Sequence, residues 1–134
     1  MTQEDKDLLL RDLSARLPYG VMVLHQNEYG REVTTKLSGY NGDWYNYYID
    51  NLCYHLKLHE FKPYLRPMSS MTEDEMVEFK WLNGKCDEMP TFDYIPVEHY
   101  RLFDWLNRHH FDYRNLIEKS LAIEVTEENN PYKE

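Results

Sequence analysis

Leu9, Leu10, Leu13 and Leu17 recur at helical spacing and predict one apolar helix face over Gln3–Arg16. Thr2 stands where an N-cap belongs, acids fill the first turn, and Pro18 blocks continuation. The period then shortens to two. Residues 19–25 are rich in apolar and β-branched side chains. Residues 31–38 alternate with Val33, Thr35 and Leu37 on one face, and 44–49 is an aromatic run. Residues 53–61 alternate again, Tyr54, Leu56 and Leu58 opposing Cys53, His55, Lys57 and His59. Asn27-Glu28-Tyr29-Gly30, Gly39-Tyr40-Asn41-Gly42-Asp43 and Asp50-Asn51 separate these runs as turns. Four short strands in succession predict an antiparallel meander, either open or curled into an SH3-like partial barrel.

The second half reads as helical. Pro63 and Pro67 are expected to end the strands, since a proline cannot donate to a ladder. Thr72-Glu73-Asp74-Glu75 is a capping box, with Thr72 as cap and Glu75 reaching back. The helix it opens should stop near Leu82, before Asn83-Gly84. Residues 85–93 look irregular. Pro96 suits the first turn of a further helix over 97–109, with Leu102, Phe103, Leu106 and His110 facing inward. Asp112 is placed to cap a short last helix through Lys119. Residues 121–125 alternate like an edge strand, and the tail from Thr126 reads as frayed. The expectation is one α+β domain: an N-terminal helix over 1–17, a sheet over 19–61, a half with two or three helices over 62–125, and a tail over 126–134.

Composition narrows the function classes. The 134 residues are 42% hydrophobic, enough to build a core. A net charge of −9 and no run of Lys or Arg argue against direct nucleic-acid binding, which works by neutralising phosphates. The acids at 4–7 and 73–78 fall where helix N-termini are expected, so dipole compensation accounts for them. There is no apolar run of secretory type and none of membrane-spanning length. A cytoplasmic protein with two reduced thiols follows, Cys53 a small core or half-buried residue and Cys86 in a loop.

Candidate chemistry is sparse. His55 and His59 share a strand face but would lie ~13 Å apart at four residues of strand rise, too far for one ion. His109 and His110 are neighbours and point apart on a helix. One should pack and the other sit exposed at the helix C-terminus, where the dipole favours a cation. Asp87, Glu88, Asp93 and Glu98 match no calcium-loop spacing and read as a solvated loop. No cofactor or metal is implied. In Lys62-Pro63-Tyr64-Leu65-Arg66-Pro67-Met68 the prolines stiffen a connector, and Arg66 is suited to clamp a carboxylate of the fold. Twelve tyrosines are unusual for this length. They either finish the rim of the core or form a contact face, best sought at Tyr40, Trp44, Tyr45, Tyr47 and Tyr48.

The pattern of residues 8–19, the segment Lys62-Pro63-Tyr64-Leu65-Arg66-Pro67-Met68-Ser69-Ser70-Met71-Thr72 and the segment His109-His110-Phe111-Asp112-Tyr113-Arg114-Asn115-Leu116-Ile117-Glu118-Lys119 resemble a family of small uncharacterised proteins associated with prophages and mobile elements of gut bacteria. The resemblance implies a genetic context and no activity. Where it leads one to expect glycine, this chain has Asn115 and Ser120, which argues against special backbone geometry there. The expected function is therefore a non-enzymatic protein–protein interaction module with an unidentified protein partner. The alternatives are an acidic inhibitor occupying a nucleic-acid-binding surface of a host protein, and a small histidine-dependent enzyme.

Overall fold

The computed structural model describes residues 1–85 and 97–132. The protein is α+β. Helix α1 (Gln3–Arg16) leads into strands β1 (Met22–Gln26), β2 (Glu32–Lys36), β3 (Gly39–Tyr40), β4 (Tyr45–Ile49), β5 (Leu52–Leu56) and β6 (Phe61–Leu65). Helices α2 (Glu73–Lys85) and α3 (Val97–Arg108) follow, then strand β7 (Ile123–Glu124). The predicted Cys86, Asp87, Glu88, Asp93 and Pro96 lie outside the described residues, as does the side chain of Glu98.

The strands form two sheets rather than the single meander the alternation predicts. One has the order β2-β1-β6-β7, the other β3-β4-β5. The predicted strand over 53–61 is in fact two, broken by a 3-10 turn at Leu58–Glu60. Its second part, β6, crosses back to pair antiparallel with β1. Pro63 does not end the strand region. It sits buried inside β6 opposite Val23, and the parallel ladder to β7 begins only at Tyr64, one residue past the ring. Alternation alone shows which face a residue takes, not which strand is its neighbour.

Local chemistry explains the ends of the elements. Thr2 and Asp5 exchange both bonds of a capping box at the start of α1. Asn27 Oδ1 accepts from the N–H groups of Tyr29 and Arg31, shaping the β1–β2 turn. Asp50 and Asn51 both have positive φ (50° and 70°), the two-residue turn whose twist suits a hairpin. Thr72 and Glu75 exchange the two bonds of their box at 3.2 and 2.9 Å. Asn83-Gly84 does not stop α2, which runs through both. Gly84 is not in the left-handed conformation that a glycine stop uses.

The core has two parts. α1, β1, β4, β6 and the segment after α3 enclose Leu9, Leu13, Val23, Tyr45, Leu65 and Leu116 among others. α2 and α3 enclose Leu82, Leu102, Trp105, Leu106 and Phe111. Phe103 is exposed, against the expectation that it faces inward, because Trp105 takes the buried position. The inner face of α1 carries Asp12 and Arg16 beside Leu9 and Leu13, all fully buried, while Leu10 and Leu17 are half-buried.

No last helix forms from Asp112. α3 ends in a Schellman turn: Phe111 N–H bonds Leu106 O and His110 N–H bonds Asn107 O, with His110 at φ 62°. Ten residues later the pattern repeats: Leu121 N–H bonds Leu116 O and Ser120 N–H bonds Ile117 O, with Ser120 at φ 62°. Asp112 instead accepts from the N–H groups of Leu116 and Ile117, and Asn115 also has positive φ. Special backbone geometry is thus present at Asn115 and Ser120 without glycine.

The described part of the tail is docked, not frayed. Met22 and Tyr64 would form the next rung of the β1–β6 ladder after Val23 and Pro63. There Met22 N–H donates to the Tyr132 hydroxyl, which donates to Tyr64 O, at 3.0 and 2.7 Å. A phenol closes the gap that opens beyond the proline. Burial pushes the Tyr132 pKa up, so the bridging proton is held tightly.

Candidate functional site

The residues singled out by sequence gather in two places. The first is a seam where the two motif segments meet. Arg66 N–H donates to His110 O, and Asp112 N–H donates to Arg66 O, both at 2.8 Å. The Arg66 guanidinium grips Glu75 with two bonds of 2.6 and 2.8 Å, donates to Ser70 O and lies 4.2 Å over the Phe111 ring. Pro67 supplies the carbonyl that Ser70 N–H and its hydroxyl both reach. The Arg66 bonds hold the Glu75 pKa down to about 2. At the Phe111 backbone, Arg16 donates to the carbonyl at 2.5 Å and pairs with Asp12 at 2.7 Å, and Arg114 adds a bond to Asp12.

The histidines belong to this seam. His110 is buried, stacked on Tyr132 with ring centroids 3.7 Å apart, and its Nδ1 has no partner. Burial lowers its pKa to about 4, with Arg16 adding to the effect. His109 sits 3.4 Å from Glu75 and 4.6 Å from the Trp105 ring. Burial lowers its pKa too, against the attraction of Glu75. Desolvation therefore works against a charge on either histidine, and the cation at the end of α3 is Arg108. An open groove of about 660 Å³ runs past Arg66, Arg108, His110, Glu127 and Tyr132. Its cations are partly committed to Glu75, and the end of α3 that faces it is the negative end of the helix dipole. Among the described residues no three His, Cys, Asp or Glu side chains converge as metal ligands would.

The second place is the β4–β5 hairpin. Tyr45 and Tyr47 point inward, with 2% and 7% of their surfaces exposed. Tyr45 meets Phe61 edge-on, and Tyr47 packs against His25. Burial pushes both phenols up. The opposite face is open. Trp44 and Tyr48 lie on it at 36% and 57% exposure, with Asn46, Cys53 and His55 between them in register. His55 Nδ1 bonds Asn46 Oδ1 at 2.8 Å, and Lys57 Nζ sits 4.9 Å from the Trp44 ring. Cys53 is exposed rather than in or at the edge of the core, because register puts it opposite Tyr48 on the open face. Tyr40 is exposed and stacks on Tyr45 at 4.5 Å.

Sequence reasoning missed the apolar tip. Ile49, Leu52 and Tyr54 lie on the same face as Tyr45 and Tyr47, yet beyond the core they are exposed, Leu52 at 61%. Alternation signals the face but not how far the core reaches. Missed too was the buried Asp12–Arg16 pair, whose i, i+4 spacing was the available signal. No family model matches the chain, and no curated protein or solved structure matches it either. Among the described residues no helix is long and apolar enough to cross a membrane.

Proposed function

We propose that the protein is a non-enzymatic contact module, of prophage or mobile-element context, that engages a protein partner through its β4–β5 hairpin. One observation carries the reading. Trp44 and Tyr48 are exposed together on the open face of the β4–β5 hairpin, and Tyr40, Ile49, Leu52 and Tyr54 are exposed on the other face of the same sheet, beyond the core. Exposed apolar side chains gathered in one place mark contact surfaces, and aromatic rings supply most of the energy there. The backbone beneath is braced by the buried Tyr45 and Tyr47, so the outer rings are held ready.

The alternatives have less support. The hairpin's outer face carries His55 and Lys57, which is not the surface of a nucleic-acid mimic. A histidine enzyme would have to work through His109 or His110. His110 has its Nδ1 sealed from solvent, and His109 lies against Glu75 in an ion-paired cluster.

The test is a comparison of captured proteins. Tagged parent chain and a Trp44→Ala/Tyr48→Ser variant are used as bait in lysate of a gut bacterium, with Arg66→Lys as a control outside the hairpin. The reading expects one prey to bind the parent and the control and to be lost from the double variant. Prey retained by the double variant would remove the hairpin from the contact.

A further inference from the structure

The two sheets have four outer edges, and three of them are guarded. β3 and β7 are two residues long, too short to template another strand. β2 begins with Glu32 and ends with Lys36, charges of the kind that discourage pairing. The fourth edge, β5, is five residues, Leu52-Cys53-Tyr54-His55-Leu56, with no proline and no Lys, Arg, Asp or Glu. No strand lies on its far side among the described residues.

The turn fixes what this edge offers. A two-residue loop makes Ile49 and Leu52 the closing hydrogen-bonded pair. Alternation then directs the backbone groups of Leu52, Tyr54 and Leu56 toward β4. Those of Cys53 and His55 point outward.

We propose that β5 pairs antiparallel with β5 of a second copy, about a two-fold axis at Tyr54, joining two three-stranded sheets into one of six. This goes beyond the contact reading, since it uses the edge of the hairpin and not its outer face. A two-fold axis normal to the sheet keeps each side chain on its own face, so a residue must lie opposite one of like parity. Centring on Tyr54 sets Cys53 opposite His55 of the second copy, the outward-pointing backbone groups on both strands. Leu52, 61% exposed, falls opposite the second copy's Leu56 at the margin of the core. The two Tyr54 rings meet on the axis and extend the stack that each already makes with Tyr47 at 5.3 Å. Charge favours a second copy over an arbitrary strand. The hairpin is acidic at its tip, Asp50, and basic past its other end, Lys57. Antiparallel self-pairing brings each acid within one position of the other copy's base. The net charge of −9 on each chain opposes association at low salt.

Sedimentation velocity of the purified chain over a concentration series tests this. The parent should show a reversible monomer–dimer equilibrium in the micromolar range. Tyr54→Lys, which puts two like charges on the axis, should weaken it by roughly tenfold or more. Tyr54→Cys in a Cys53→Ser/Cys86→Ser background should form a disulfide-linked dimer under mild oxidation, whereas Glu32→Cys in that background should not. A parent that stays monomeric at every concentration overturns the proposal and leaves the hairpin's outer face free for a different protein. A dimer indifferent to Tyr54→Lys and not linked through position 54 overturns it equally.

Discussion

The seam and the hairpin use the same kinds of side chain to opposite ends. In the seam, Arg66, Glu75, Asp12, Arg16 and Asp112 each bond two or more groups, and Phe111 lies fully buried among them. Its polar groups are spent on joining α1, β6, α2 and the segment after α3. In the hairpin, Tyr45 and Tyr47 are buried, and Trp44 and Tyr48 on the other face are left in water with few fixed partners. A motif rich in charge and histidine is thus bound up in contacts within the fold, and a plain aromatic run presents the open surface. Density of chemical groups is a poor guide to function where those groups already satisfy one another.

The comparison breaks first if the seam tolerates loss of charge. Asp12→Ala leaves Arg16 buried without its counter-charge and should destabilise by ~3–5 kcal/mol in urea unfolding. A loss under about 1 kcal/mol would mean water reaches the pair. Acid is the next lever. Burial keeps the His110 pKa at about 4 in the folded chain, while the unfolded chain takes up the proton near the ordinary value of 6.5. Stability is then whole above 6.5 and falls as pH drops from 6.5 towards 4, with His109 adding in the same direction. Glu75, held down to about 2, extends the loss below its ordinary 4.5. His110→Asn, which tolerates positive φ and does not titrate, should flatten the upper part of that curve when urea midpoints are followed against pH.

Smaller effects sharpen the picture. Tyr132→Phe keeps the ring on His110 but leaves Met22 N–H and Tyr64 O unbridged, for a loss of ~1–3 kcal/mol. An unchanged midpoint would show that the tail does not close the ladder. Thr72→Ala should cost ~1 kcal/mol by removing one bond of the box that also orients Glu75.

Periodicity and capping chemistry carry most of what the sequence reveals. The α1 and α2 starts and the turns at Asn27 and Asp50 all follow from local rules. What escapes is non-local. Nothing in residues 61–65 says that β6 will pair with β1, or that Tyr132 will bridge the two beyond Pro63. Asp112 reads as a helix cap because its spacing is right. It does accept two backbone N–H groups, but one helical turn and a Schellman close follow in place of a helix. At the candidate surface, sequence names the rings and burial sorts them. Tyr45 and Tyr47 belong to the core, Tyr40, Trp44 and Tyr48 to the surface.

The central claim is that the outer hairpin rings are presented and not needed for folding. The most direct test is the urea unfolding free energy of the Trp44→Ala/Tyr48→Ser double variant. The account predicts a value within about 0.5 kcal/mol of the parent, as for exposed substitutions generally. A loss of ~3–5 kcal/mol, the cost of truncating a core aromatic, would show that these rings hold the fold together and would contradict it.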